Sequence, residues 1–331
     1  MSNAQNYTAR KTTVDSIEVI RLTDSARKTE VSIVPSIGNI AYEMKVNGKN
    51  LFWLPYATLA EFRAKPTHAG NPFLEPWANR LDQDAFWANG KKYLLNAGLG
   101  NYGRDQNGKP IHGLVTFTAA WEVTGLESDD RHAEVTSRLE FWRHPDWMAQ
   151  FPFAHAIEMT YRLQDGALEV ATRIENHSVE PMPVAVGYHP YFRIHDAPRD
   201  QWRVHLAARD HLVLSKELIP TGERMPVSFP DPMPLAGTQL DDVFSNLVRD
   251  ADGRAEFWVQ GRREMISVIY GPKYTVAVAY APAGREFICF EPMSAITNAF
   301  NLAHAGVYQE LQSVPARGRW QESFWIRPSG F

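Results

Sequence analysis

Apolar and polar residues alternate with a period near two over much of the chain, the repeat of a strand with one buried face. Residues 157–163 read I-E-M-T-Y-R-L and residues 167–174 read A-L-E-V-A-T-R-I, with Gln164-Asp165-Gly166 between them. An Asp-Gly step between two alternating runs predicts a hairpin, because both residues tolerate the positive φ of a tight turn. The layout recurs. Residues 43–46 and 51–54 flank Asn47-Gly48, and residues 86–88 and 92–95 flank Asn89-Gly90. Residues 265–270 and 275–280 flank Gly271-Pro272-Lys273, which reads as a further hairpin. More strands are predicted at 16–22, 131–141, 286–290 and, after Asp252-Gly253, 256–259. Helical spacing is confined to residues 56–65, stopped by Pro66, and residues 295–305. The expected class is all-β, with many hairpins and few short helices.

No compositional break divides the chain. Proline clusters such as 226–234 read as surface loops rather than linkers, and no repeat or low-complexity tract interrupts the alternation. Length alone would suggest two domains, but β sandwiches often run longer as one unit. The expectation is a single domain over residues 1–331, with residues 1–14 as a flexible lead-in.

Composition narrows the function. With 34 basic and 38 acidic side chains the net charge is −4, too balanced for a nucleic-acid footprint or an anionic-membrane patch. The 44% apolar content supports a large core. The lone cysteine, Cys289, excludes an intrachain disulfide and fits a reducing compartment. No apolar run reaches the ~18 residues of a membrane span, and the first residues carry no apolar signal-peptide core. A cytoplasmic protein with no nucleic-acid or membrane partner, a monomer or homodimer, is expected. The 39 aromatic residues favour strands and could wall a sugar site.

Several chemistries lack their motifs. There is no Gly-rich dinucleotide or phosphate loop, no H-E-x-x-H, no C-x-x-C and no nucleophile elbow. What remains is cofactor-free chemistry by histidine and carboxylates. Four segments concentrate such groups beside Gly, Pro and aromatics: residues 71–90, 111–114, 187–194 and 286–301. Loops and strand ends that display functional groups have this texture. Arg80, His112 and Glu291 each have an ordinary reading as an ion pair or a bonded core group. His189 stands among Tyr188, Pro190, Tyr191 and Phe192, a setting that perturbs an imidazole pKa.

In order along the chain these segments resemble the aldose 1-epimerase (galactose mutarotase-like) family. The resemblance rests on Ala78-Asn79-Arg80-Leu81 followed by Phe86, Gly90 and Tyr93, and on His112-Gly113 followed by Trp121. It continues through His189-Pro190-Tyr191-Phe192, Ile219-Pro220-Thr221-Gly222-Glu223 with Asp241 and Phe244, and Phe290-Glu291-Pro292 with Asn298-Ala299-Phe300-Asn301. The resemblance implies a large antiparallel β supersandwich that needs no metal and no cofactor. It implies His189 as general acid and Glu291 as general base, with Asn79, Arg80, His112 and Asp241 orienting a small-molecule sugar. Asp242, one residue off the spacing, is the second choice for Asp241. Galactose-specific members carry Gly and Arg where this chain has Glu75-Pro76, Asn where it has Tyr188, and a second Gly where it has Leu114. These differences point away from galactose. The missing G-G-x-P pattern of the sugar-phosphate branch points away from a hexose 6-phosphate.

Interconverting the anomers of an aldose needs one acid and one base about C1, because the ring oxygen gains a proton as the C1 hydroxyl loses one. An imidazole and a carboxylate meet that need without a metal. The expected activity is therefore aldose 1-epimerase on a free sugar. The alternatives are a carbohydrate-binding or sugar-sensing protein of the same fold, or a glycoside hydrolase or lyase using two carboxylates.

Overall fold

The computed structural model describes residues 6–331. Three large antiparallel sheets carry the architecture. The first runs in chain order through Tyr7–Val14, Ile17–Asp24, Thr29–Val34, Ile40–Val46 and Lys49–Asn50. The second has nine strands and is centred on His155–Gln164, Ala167–Asn176 and the C-terminal strand Arg319–Ser329, whose far edge pairs with Met265–Tyr270. The third has eight strands. Its middle sets Leu240–Leu247, Val276–Ala281 and Ile288–Met293 side by side, with Gly187–Tyr188 and Tyr191–Phe192 on the outer edge of Ile288–Met293.

The two ways of reading apolar pattern match two environments. Ala167–Asn176 alternates fully: Leu168, Val170 and Ile174 are buried, while Glu169, Arg173 and Glu175 face outward. Arg173 lies directly opposite Glu158 and donates to its carboxylate at 2.9 Å, a cross-strand pair on the outer face. Ile288–Met293 is buried at every position, as expected of a strand covered on both faces. One cover is the nine-stranded sheet: Phe290 meets Phe257 at 6.2 Å between ring centres, and Tyr188 meets Phe324 at 4.8 Å. The first sheet packs on the second, where the Tyr161 hydroxyl donates to the Asn39 carbonyl at 2.9 Å. One apolar cluster runs through all three sheets, from Tyr7 to Ile326.

The fold is thus an all-β supersandwich with, among the described residues, three short α-helices, Leu59–Ala64, Pro145–Gln150 and Ala299–His304. The first and third fall inside the predicted helical segments. Thr58 caps the first by accepting from the Glu61 N–H. The second lies outside both predicted segments. Among the described residues no helix is long and apolar enough to cross a membrane.

The turns at Asp165-Gly166 and Asn89-Gly90 close hairpins as expected, and Asn47-Gly48 closes one with Lys49–Asn50 in place of the expected strand at 51–54. Gly271-Pro272-Lys273 does not. Met265–Tyr270 is paired on both edges already, by Ala255–Gln260 and Arg319–Ser329, so no edge is left for the next strand. Val276–Ala281 joins the eight-stranded sheet instead, and the turn is a crossover between layers. The lead-in also differs from expectation. Tyr7–Val14 is a strand paired along its whole length with Ile17–Asp24, with Tyr7 buried and its hydroxyl accepting from the Asp165 N–H at 3.0 Å. Residues 1–5 of that segment lie outside the described residues.

Candidate active site

Six residues scattered over more than two hundred positions, Asn79, Arg80, His112, His189, Asp241 and Glu291, line one cavity of about 300 Å³. Strand register explains half of this. Asp241 lies opposite Tyr280, Tyr280 opposite Cys289, and Cys289 opposite Tyr191, so a single row crosses three ladders. Glu291 stands two residues beyond Cys289 and therefore on the same face, while Phe290 between them points to the core. That face is the cavity floor. Asp242 alternates away and pairs with His211 Nε2 at 2.8 Å, which selects Asp241 as the cavity carboxylate.

Two irregular segments form the wall. Residues 75–80 are pinned by isolated bridges from Glu75 to Gly113, Trp77 to Ala185 and Arg80 to Ile111. Asn79 and His112 both adopt left-handed φ, at 56° and 63°, and the His112 N–H donates to the Asn79 carbonyl at 2.9 Å. Gly113 follows with φ 68°, and a Cβ there would lie 2.1 Å from the Glu75 carbonyl oxygen. Only glycine allows the two segments to approach this closely. Below them Glu75 and His155 form a fully buried pair at 2.7 Å, which ties the wall to the nine-stranded sheet. The Arg80 guanidinium is held through Nε by Asp105 Oδ2 at 2.7 Å. Asp105 is fixed in turn by the Asn107 and Lys109 N–H groups. Burial works against its charge, but these donors and Arg80 keep its carboxyl below the usual range.

His189 Nε2 lies 3.3 Å from Glu291 Oε1, with side-chain exposures of 9% and 2%. The His189 ring stacks on Tyr191 at 4.6 Å and 4°. Burial pushes Glu291 well above the ordinary carboxylate value, with the Asp241 charge adding to it. Burial pushes His189 well below the ordinary imidazole value, with His68 adding to it. His112 is lowered for the same first reason. Both groups are thus shifted toward their uncharged forms. His189 Nδ1, His112 Nδ1 and Glu291 Oε2 are buried without a hydrogen-bond partner among the described residues. Such atoms are few in folded proteins, and three of them in one cavity make it the candidate site. No group of three or more His, Cys, Asp or Glu among the described residues could hold a metal ion.

The structure also places residues here that pattern reading passed over. Asp105 and Gln106 sit in a turn that reads as no more than a loop. Tyr280 belongs to an apolar strand run, and Leu218 to a turn with φ 59°. His68 is a third imidazole, with its ring 4.8 Å from that of His112 and 5.8 Å from that of His189. Burial lowers its pKa to about 4. A lone His in the sequence THAG carries no signal of such company.

Comparison with known proteins bears on the whole chain. The family model described as aldose 1-epimerase matches residues 18–326. A galactose mutarotase-like protein from Clostridium acetobutylicum is similar in structure with a TM-score of 0.87 and 20% identity, covering 99% of this chain and 100% of the other. The Slr1438 protein from Synechocystis sp. PCC 6803 has a TM-score of 0.75 at 25% identity, covering 97% and 98%. A galactose 1-epimerase from Lactobacillus acidophilus NCFM has a TM-score of 0.75 at 13% identity, covering 99% and 100%. At such identities the first and third establish the fold alone.

Proposed function

The chain belongs to the aldose 1-epimerase family, and from that premise we propose that it interconverts the α and β anomers of an uncharged free aldose, without a cofactor, as one sandwich unit. The observation that carries this reading is the buried His189–Glu291 pair, 3.3 Å apart at the floor of a cavity that Arg80, Asn79, His112 and Asp241 also line.

Glu291 as carboxylate takes the proton of the C1 hydroxyl while His189 as imidazolium gives one to the ring oxygen. The bond from C1 to the ring oxygen breaks, and C1 becomes an aldehyde. Both oxygens are bonded to the same carbon, so an acid and a base a few ångströms apart reach one each. Rotation about C1–C2 and reclosure on the other face return both protons. Ring opening therefore moves the pair from its ionic to its neutral one-proton form. The burial that drives both groups toward their uncharged forms makes the ionic form, from which ring opening starts, the less populated of the two. Arg80 supplies positive charge, and His112, held neutral by burial, a hydrogen bond, to the sugar oxygens as charge develops. Asn79 and Asp241 orient the remaining hydroxyls.

Cavity charge supports a neutral sugar. Arg80 is already matched by Asp105, and Asp241 and Glu291 add carboxyl groups without a further cation in the lining. A phosphorylated sugar would meet repulsion there. The intact acid–base pair favours an enzyme over a sugar-binding protein.

Polarimetry of freshly dissolved α-D-glucose, α-D-galactose and other aldoses tests the proposal. Faster approach to equilibrium than in buffer supports it. If no aldose in a broad panel is accelerated by the folded protein, the proposal fails.

A further inference from the structure

Beneath the cavity wall a carboxylate and an imidazole meet wholly inside the protein. Glu75 Oε1 lies 2.7 Å from His155 Nε2, and the two side chains are 1% and 0% exposed. The other ring nitrogen, Nδ1, lies 2.6 Å from the Phe153 carbonyl oxygen. A carbonyl only accepts, so Nδ1 carries a proton, and the bond to Glu75 needs one more, on either atom. The ring also stacks on Phe141 at 4.2 Å between ring centres, and His155 is the first residue of His155–Gln164 in the nine-stranded sheet. The imidazole is thus a fixed anchor, and Glu75 is what it holds.

Glu75 in turn is tied to every segment of the wall side of the site. Leu74 and Phe73, just before it, pair with Gly187 and Tyr188, next to His189. Its own carbonyl accepts from the Leu114 N–H at 2.8 Å, two residues past His112. A few residues on, the Ala78 N–H donates to the Ala185 carbonyl, the Asn79 carbonyl accepts from the His112 N–H, and the Arg80 carbonyl accepts from the Asn298 N–H. A displacement of Glu75 is therefore shared by Asn79, Arg80, His112 and His189.

Stability does not call for this pair. Two ionisable groups are costly to take wholly out of water, and an apolar pair of similar volume is often as stable or more so. Glu75 Oε2 is moreover buried without a hydrogen-bond partner among the described residues, a cost that apolar side chains do not carry. What the bond adds is direction. It fixes a distance and an angle, whereas apolar contact is non-directional and lets a segment slide.

We propose that Glu75 and His155 are positioning residues: their buried bond holds the wall segment where Asn79, Arg80 and His112 meet the sugar. Neither lines the cavity, so both act through those residues and not on the substrate. The kinetic side of this role rests on the epimerase reading.

Two kinds of variant separate positioning from stability. Glu75→Gln keeps the bond, because its amide N–H donates to the Nε2 lone pair of the Nδ1–H tautomer. Glu75→Met with His155→Leu replaces the bond by apolar contact. Glu75→Leu with His155→Phe is a second apolar pair, which keeps a ring against Phe141. Circular dichroism follows melting, mass spectrometry the amide exchange of residues 78–81 and 112–114, and polarimetry the mutarotation of glucose and galactose. At least one apolar pair is expected to melt no lower than wild type. In it those amides should exchange roughly 10-fold faster, and kcat/KM should fall roughly 10-fold, mostly through KM. Glu75→Gln should stay within about 3-fold of wild type in both, since its bond persists. The positioning role is overturned if a folded apolar pair keeps wild-type exchange or wild-type kcat/KM, or if Glu75→Gln loses as much as the apolar pairs. It is also overturned if both apolar pairs melt well below wild type or fail to fold, because the bond then serves stability. If wild type accelerates no aldose, the epimerase reading has failed by itself, and the exchange rates alone decide the positioning role.

Discussion

His189 Nε2 and Glu291 Oε1 approach to 3.3 Å from elements more than a hundred residues apart in sequence. Glu291 stands inside a strand buried at every position, and His189 in the short link between two short strands that pair with it. A carboxylate in such a place is costly unless a partner shares its charge or its proton. The imidazole does so, and the pair becomes a one-proton device. Its separation is well within the ~10 Å that a shared sugar ring would allow.

Replacing either member should abolish the activity and spare the fold. His189→Gln and Glu291→Gln are each expected to slow mutarotation by roughly 10²–10⁴-fold, the usual worth of a positioned acid or base. Polarimetry reads the rate and circular dichroism the fold. Glu291→Gln should melt no lower than wild type, since it replaces a buried ionisable group by an isosteric neutral one.

The pH profile should be a bell around the one-proton state. On the acid side the pair gains a second proton. Because burial lowers His189, that limb lies below the ordinary imidazole value of ~6.5. On the alkaline side the last proton leaves, and because burial raises Glu291, that limb lies far above ordinary carboxylate titration. Measuring kcat/KM from pH 4 to 10 checks both signs. An acid limb above ~6.5 would contradict the assignment.

Asp105 should act through Arg80. Asp105→Asn removes the charge that holds Arg80 Nε at 2.7 Å. The expected loss is roughly 10- to 100-fold in kcat/KM, mostly through KM, the range for a charged hydrogen bond. Arg80→Lys should be no better, since one ammonium cannot face Asp105 and the sugar with a fixed fork.

His68 should limit stability in acid. Its folded pKa is about 4 because of burial, whereas an unfolded His titrates near ~6.5. The unfolded state therefore binds the proton first, and stability is lost as pH falls from 6.5 toward 4, by up to about 3 kcal/mol from this group. Urea unfolding at pH 7 and pH 4.5 should show a smaller drop for His68→Phe than for wild type.

Gly113→Ala should destabilise by more than ~1 kcal/mol, because the added Cβ meets the Glu75 carbonyl and φ is 68°. Urea unfolding reads the loss. Activity should fall with it, since His112 is displaced.

Much of this could be read along the chain. Alternation at 157–174 and turn pairs at Asp165-Gly166 and Asn89-Gly90 are local physics: side-chain period and positive φ act between near neighbours. Five of the six expected cavity residues sit in short runs of Gly, Pro and aromatics, whereas Asp241 is implied by the family resemblance alone. Gly271-Pro272-Lys273 shows where such reading stops. A turn looks the same whether the next strand returns to its own sheet or crosses to another, and only the occupied edges of Met265–Tyr270 decide.

What the chain by itself determined, then, is the β class, most turns and the chemical types at the site, because those follow from neighbouring residues. Tertiary structure alone decided that Asp241 rather than Asp242 enters the cavity, that Asp105 holds Arg80, that His68 joins two other imidazoles, and that Glu75 meets His155 beneath the wall. Each is a relation between segments far apart in sequence. Such relations depend on strand register and layer packing, which no local pattern encodes.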